Sequence, residues 1–322
     1  NEDNHTLALQ VFNRSCHLHK SPSVLKSLCQ KALQAKDAKH LFESNFRPYQ
    51  LFNKTLEKQG LITGYYEPSL QGSLSKHNEY KYPVYAVPHD LITVNLNKLY
   101  PTLKPYRLRG KIINQVLKPY YNREEIENNT MKAEVLCYVN DPIALFFLHI
   151  QGSGKVFLEN GEILNIGYAN QNGHKYFAIG KALIADGFIK KENISLQSIA
   201  HFLKENPDKM SHYMNLNASY IFFETRLKSA CGSSGAQLHA KRSAAVDPKS
   251  IPLGMPLYLK TTDPIEGHSI NQIMIAQDTG GAIKGEIRAD FFWGNGEIAA
   301  LKAGKMQQMG EIWILIPKDL DE

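Results

Sequence analysis

The sequence predicts a mainly β protein with helices, organised as two domains. From Leu61 onward, short runs rich in Tyr, Val and Ile are broken by Gly, Pro and Asn roughly every 8–12 residues, the pattern of barrels and sandwiches. The N-terminal fifth instead keeps apolar residues at helical spacing, and a helical interlude from His174 to Asn206 separates two β regions. A chain of 322 residues is long enough for two domains of roughly 100–200 residues each.

Along the chain, Leu7, Leu9, Val11 and Phe12 mark a first helix. Ser21-Pro22 supplies an N-cap with Pro at N1 before Val24, Leu25, Leu28, Cys29 and Ala32, and Asp37 caps a third short helix through Phe42. These helices are expected to form a layer on something larger. Lys81 to Val87, Val135 to Val139 and Leu145 to Ile150 read as β-type runs. In the interlude, Tyr176, Ile179, Gly180, Leu183 and Ile184 keep a helical period, and Ser195 starts a second helix through Ile199 and Phe202. β-type runs return at Tyr220 to Phe223, Pro256 to Lys260, Gln272 to Ala276 and Ile312 to Ile316.

Composition excludes several classes. With 43% hydrophobic residues and no apolar run of membrane-spanning length, the chain reads as soluble and globular; the longest apolar stretch, Pro142 to Ile150, is strand or short-helix sized. The polar start, Asn1 to Thr6, carries no Met and no apolar leader, and reads as a mature or trimmed form. Net charge is +6, but Lys and Arg read as scattered rather than as a stripe with interleaved aromatics, so no nucleic-acid partner is expected. Cys16, Cys29, Cys137 and Cys231 lack zinc-site spacing. Cys16 and Cys29 each lie on the apolar face of a helical pattern, separated by a turn, and are either bonded or two buried thiols.

Common catalytic signatures fail. Gly152-Ser153-Gly154-Lys155 lacks the phosphate-loop frame, no G-x-S-x-G elbow occurs, and His17-Leu18-His19 has no third ligand in view, so neither metal nor cofactor is expected. The dense region runs from Asp278 through Gly280, Gly281, Gly285 and Asp290 to Phe291-Phe292-Trp293-Gly294. Its glycines indicate unusual backbone or close ligand approach, and its aromatics offer flat faces to sugar rings. A carboxyl held between them is partly desolvated, which raises its pKa and suits a general acid for glycosidic cleavage. The alternative is that Asp278 and Asp290 only cap turns; Asp247, before Pro248, is a still stronger turn former.

Beyond these residue-level readings, the chain resembles the membrane-bound lytic transglycosylase A family. The matching segments are Gly64-Tyr65-Tyr66-Glu67-Pro68, Asp141 to Lys155 around Phe147-Leu148-His149-Ile150-Gln151-Gly152-Ser153-Gly154, and Gly167 to His174. Asn217 to Phe223, Ala244 to Gly254 and Asp278 to Gly294 follow in family order, covering about four-fifths of the chain. Cys231 to Ala240 departs from the pattern, which would have a Gly-Pro stretch there.

The resemblance implies a double-psi β-barrel main domain, residues 1–71 and 168–322, with a smaller β-barrel inserted at 72–167 and a glycan groove between them. It maps the family's three barrel aspartates onto Asp247, Asp278 and Asp290, with Asp290 the single catalytic acid. The reaction implied is lytic: cleavage of the β-1,4 bond between N-acetylmuramic acid and N-acetylglucosamine in peptidoglycan, with the muramoyl 6-hydroxyl as nucleophile and a 1,6-anhydro product. No cofactor is needed.

Asp278 is the expected hydrogen-bonding partner near the reacting centre, Asp247 a further substrate-binding candidate, and Lys284 a partner for a lactate or peptide carboxylate. Gln151, Gly152 and Ser153 suit hydroxyl and acetamido recognition, Glu67 a further contact, and Tyr66, Phe223 and Trp293 stacking. A hydrolase on the same barrel would need a second carboxylate about 6.5–9.5 Å away, a role open to Asp278. An expansin-like binding module would keep the aromatics without needing Asp290. A monomer in the periplasm is expected, with a lipid anchor to the outer membrane conceivable outside this chain, and there a Cys16–Cys29 bridge should form.

Overall fold

The computed structural model describes residues 3–16, 22–104, 106–128, 131–227 and 230–318. His17, His19 and the cap at Ser21 lie outside them. The elements are α1 (His5–Cys16), α2 (Lys26–Gln34), α3 (Ala38–Asn45), β1 (Phe46–Gln50), β2 (Gly60–Glu67), β3 (Ser69–Ser73), β4 (Tyr82–Tyr85) and β5 (Ile92–Thr93). Next come β6 (Arg109–Ile113), β7 (Val116–Pro119), α4 (Arg123–Glu127), β8 (Val135–Val139), α5 (Pro142–Gln151), β9 (Ser153–Leu158) and β10 (Ile163–Gln171). Then follow α6 (Gly180–Ala185), α7 (Leu196–Glu205), α8 (Pro207–Asn215), β11 (Ile221–Arg226), β12 (Ser243–Val246), β13 (Pro256–Thr262), β14 (Ser269–Asp278), β15 (Ala289–Asn295), α9 (Glu297–Lys305) and β16 (Gln307–Pro317).

The chain folds as two compact units, residues 1–67 with 230–322, and residues 68–229. In the first, β16, β13, β14, β12, β15 and β2 pair in that order and β2 returns to β16, closing a barrel to which β1 adds on β16. β12 runs parallel to β14 and β2 parallel to β15, while the other pairs are antiparallel, the crossing pattern of a double-psi barrel. Burial on both sides explains why β12, Ser-Ala-Ala-Val, has no polar face and gives only a weak strand signal.

The N-terminal helices do form a layer on this barrel. Ala8, Leu9, Val11, Phe12, Leu25, Leu28, Leu41 and Phe42 share one core with Leu257, Met274 and Phe291. Asp37 caps α3 by accepting from the His40 amide at 3.0 Å, as its position predicts. Cys16 and Cys29 are bonded, tying α1 to α2. Closing a loop of that size restricts the unfolded chain, so replacing both by Ser should lower the stability of this unit by about 3 kcal/mol, read by denaturant unfolding with and without reductant.

In the second unit, β11, β10, β9, β3, β8 and β4 form one sheet and β5, β6 and β7 another. The edge strands β4 and β11 approach each other with Cα atoms within 8 Å, so the larger sheet curls round. This unit runs further than the 72–167 expected for the insert. β10 bonds β9 on one side and β11 on the other, and Phe146 and Phe147 of α5 share a core with Ile179, Leu183, Phe202 and Tyr213.

One element is corrected outright: Leu145 to Ile150, expected as a strand, lies in helix α5. Asp141 accepts from the amides of Ile143 at 2.8 Å and Ala144 at 3.0 Å, Pro142 sits at the start, and Gly152 closes the helix in a left-handed conformation (φ 80°). Apolar burial around most of the helix hid its period, and the cap residues were the better signal.

Candidate active site

The barrel brings the two carboxylates of the dense region onto one rung. Ala245 in β12 is opposite Asp278 of β14 on one side and opposite Asp290 of β15 on the other, and Asp290 is in turn opposite Thr63 of β2. Paired residues on neighbouring strands project to the same face, so Asp278, Ala245, Asp290 and Thr63 form a row, with the two aspartate Cα atoms about 10 Å apart by strand spacing. A register shift between Ala244 and Ala245 skips Gln277 and aims Asp278 into the row. Ala245, a methyl group, leaves the space between the acids open.

Asp290 is half-buried. Its pKa is raised to about 6, chiefly because burial disfavours the charged form, with the like charge of Asp278 adding to the shift. Two groups oppose the rise: the Thr63 hydroxyl donates to Asp290 Oδ1 at 2.6 Å, and the Arg288 guanidinium lies nearby. Arg288 itself donates to Thr63 Oγ1 at 2.8 Å and to the Ala289 carbonyl at 2.6 Å. Thr63 is thereby fixed as a donor to Asp290.

Asp278 ends β14. Its Oδ1 accepts from the amides of Ser233 and Thr279, both at 2.8 Å. Burial still leaves its pKa raised, against the pull of those donors. Ser233 belongs to the Cys231 to Ala240 segment that departs from the family pattern. There Gly232 is required, because a Cβ would meet the Gln277 carbonyl at 2.3 Å. The Tyr65 hydroxyl is buried, and its pKa is raised well above the ordinary value by burial, by the charges of Asp278 and Asp290, and by its approach to the Asp278 carboxylate. Its ring packs on Phe292 at 5.0 Å. Thr63, Tyr65, Ser233 and Arg288 were not singled out as site residues from sequence; only their nearness to the Gly64-Tyr65-Tyr66 and Asp290 motifs pointed toward them.

Asp247 is turned inward. Its Oδ2 accepts from the Gly285 amide at 3.0 Å and its Oδ1 from the Lys249 amide at 3.2 Å. Burial alone would raise its pKa, but those amides and the charges of Lys284 and Lys249 together lower it. The carboxylate clips the glycine-rich loop in place, which is the turn role, while Lys284 stands exposed on that loop. Among the described residues, no cluster of three or more His, Cys, Asp or Glu is arranged to hold a metal ion.

Comparison with known proteins matches the MltA specific insert domain to residues 61–224 and the 3D domain to residues 242–316. The insert model alone spans half of the chain. The chain belongs to the MltA family. Membrane-bound lytic murein transglycosylase A of Escherichia coli K12 is 28% identical over 314 residues, covering 95% of this chain and 79% of the relative. The crystal structure of MltA from Neisseria gonorrhoeae superposes with a TM-score of 0.87 at 32% identity, covering 98% of this chain and 88% of that one. E. coli MltA with bound chitohexaose superposes with a TM-score of 0.78 at 25% identity over 97% and 89% of the two chains. The expected resemblance is confirmed, and with it the enzyme class, peptidoglycan lytic transglycosylase.

Other expected site residues of this MltA family member fall into two groups. Gln151, Gly152 and Ser153 are part-exposed at the end of α5 and the start of β9, in the 68–229 unit. Tyr66 is half-buried beside the barrel core, with its pKa raised by burial. Phe223 and Trp293, expected to stack on sugars, are corrected. Phe223 is 1% exposed and stacks on His149 at 5.5 Å, and Trp293 is 5% exposed with its indole N–H directed to Met306 Sδ at 3.2 Å. No sugar face reaches a ring so enclosed. Glu67 is likewise corrected: it is 2% exposed and accepts from the Ala230 amide at 2.8 Å, holding backbone where substrate contact was expected.

Proposed function

We propose that this chain cleaves the β-1,4 bond between N-acetylmuramic acid and N-acetylglucosamine in peptidoglycan glycan strands, releasing a 1,6-anhydromuramoyl end, with Asp290 as the sole acid and base. The observation that carries the reading is Asp290's half-buried place on the barrel rung, hydrogen-bonded to Thr63, with a pKa near 6 that lets it hold a proton. The chitohexaose bound to E. coli MltA supports a β-linked amino-sugar polymer as the substrate class.

Protonated Asp290 gives its proton to the glycosidic oxygen as the C1–O bond breaks. An oxocarbenium-like centre forms at C1. The Asp290 carboxylate then removes the proton of the muramoyl 6-hydroxyl as O6 bonds to C1, so the acid is regenerated and no water is consumed. Asp278, anchored by two amides, orients substrate and adds to the field that raises the Asp290 pKa. The same reading makes Gln151, Gly152, Ser153, Tyr66 and Lys284 the substrate contacts. Asp247 takes a supporting role through the glycine-rich loop. A peptidoglycan substrate together with the Cys16–Cys29 bridge suits the periplasm, and the relatives' description as membrane-bound suggests attachment to the outer membrane.

The pH profile tests the acid. The proton is present below the raised pKa and lost above it, so kcat/KM should fall as pH rises through about 6, tenfold per unit beyond. Thr63→Val removes a donor that favours the charged form and should move this limb to higher pH; Asp278→Asn removes a like charge and should move it lower. A limb that ignores both substitutions assigns the titration to another group. Mass spectrometry of fragments released from purified sacculi should show anhydro ends, and reducing ends alone would contradict the reading.

A further inference from the structure

One face of the β5–β6–β7 sheet is apolar and open to solvent. By register Ile92 lies opposite Gly110, Gly110 opposite Pro119 and Ile112 opposite Leu117, so Ile92, Ile112 and Leu117 share a face, and all three are exposed. Leu117 leans over the glycine: its Cδ1 lies 2.7 Å from where a Cβ on Gly110 would stand. The connection between β5 and β6 adds Leu99, Tyr100 and Tyr106, each more than half exposed. Isolated exposed apolar side chains are ordinary, but a set gathered on one sheet and its connection marks an interaction surface.

Charge says what kind of surface. Residues 91–122 contain six Lys and Arg and no Asp or Glu. Outside the segment, 31 Lys and Arg are matched by 31 Asp and Glu, so the protein's whole net charge of +6 resides here. The expectation of evenly scattered cations therefore fails for this segment. Arg109 is tied to Asn170 and Lys111 sits over the Tyr121 ring. Lys98, Lys104 and Arg107 are exposed and make no ion pair among the described residues. Aliphatic side chains and tyrosines beside unpaired cations are the composition that enters a bilayer interface and meets anionic headgroups.

We propose that the β5–β6–β7 face and its connection dock on an anionic lipid bilayer, with Ile112 and Leu117 entering the interface and Lys98, Lys104 and Arg107 contacting headgroup phosphates. This contact is separate from any covalent lipid and independent of the role given to Asp290. A nucleic acid, or the carboxylates of a peptidoglycan strand, would want the cations without the aliphatic face.

This chain, carrying no covalent lipid, should co-sediment with phosphatidylglycerol–phosphatidylcholine vesicles, less so as salt is raised, and weakly with phosphatidylcholine alone. The triple variant K98A/K104A/R107A should lower the partition coefficient by about 10²-fold, from about fivefold per cation removed. Ile112→Ser with Leu117→Ser should lower it by about tenfold or more. Circular dichroism checks that both variants fold, and the charge variant lies outside any strand. No binding of the wild type to the anionic vesicles, or undiminished binding by both variants, overturns the proposal. So does a loss of binding to lipid-free sacculi in place of vesicles, which would make this face a glycan-reading surface.

Discussion

Asp290→Asn is expected to lower turnover by about 10²–10⁴-fold, and more if both proton transfers depend on this one group. Asn keeps the volume and an oxygen to accept from Thr63, whose hydroxyl is held in place by Arg288, so the rung should keep its geometry. What disappears is a proton that can leave and return. Stability should hold or rise slightly, because a half-buried ionisable group has been made neutral. This separates catalysis from turn capping: a capping residue would cost folding and leave activity per folded molecule intact. Kinetics on sacculi together with a denaturant curve on the same preparation reads both. Asp278→Asn should be milder than Asp290→Asn, since it loses orientation and field while the transferable proton remains.

Arg123→Ala should destabilise the 68–229 unit by about 3–5 kcal/mol, the penalty of breaking a buried charge network from one side. Arg123 is 1% exposed. Its guanidinium donates to the carbonyls of Asn217 at 2.9 Å and Ser219 at 2.8 Å, to Glu127 at 3.1 Å and to His149 Nδ1 at 3.2 Å, and it lies over the Phe146 and Tyr220 rings. Burial, then the Arg123 charge, holds the His149 pKa well below its usual value, so the imidazole is neutral and Nδ1 accepts. Removing the guanidinium strands two carbonyls and leaves Glu127, whose pKa burial already raises, without its counter-charge. Arg123→Lys should recover little, because one ammonium cannot span four acceptors in a plane. Limited proteolysis or hydrogen exchange resolved to this unit, compared with the barrel unit, reads the loss where a single melting curve over two units would blur it.

How much of this was legible in the sequence depended on where each signal lives. β13, with Tyr258, Lys260 and Thr262 on its less buried face, showed its period, β8 showed a β-type composition, and caps such as Asp37 and Ser195 placed helices closely. α5 was misread because burial erased its period. The domain boundary ran long because β10–β11 pairing and the α5 core are contacts between segments far apart in sequence. Asp290 and Asp278 could be named from local composition, yet the Asp278–Ala245–Asp290–Thr63 rung could not, since four strands from distant parts of the chain create it. Phe223, Trp293 and Glu67 were misassigned for a related reason: an aromatic or acid beside glycines looks the same in sequence whether it faces a ligand or the core.

The rung also sets the decisive measurement. Two aspartates about 10 Å apart at Cα on alternate strands could in principle serve an inverting hydrolase, with Asp278 activating water, whereas the lytic account uses Asp290 alone and the substrate's own 6-hydroxyl. Digesting purified sacculi in heavy-oxygen water and weighing the newly formed muramoyl ends decides between them. The account predicts anhydro ends of unshifted mass, because O6 replaces water as the nucleophile; new ends that carry heavy oxygen would contradict it.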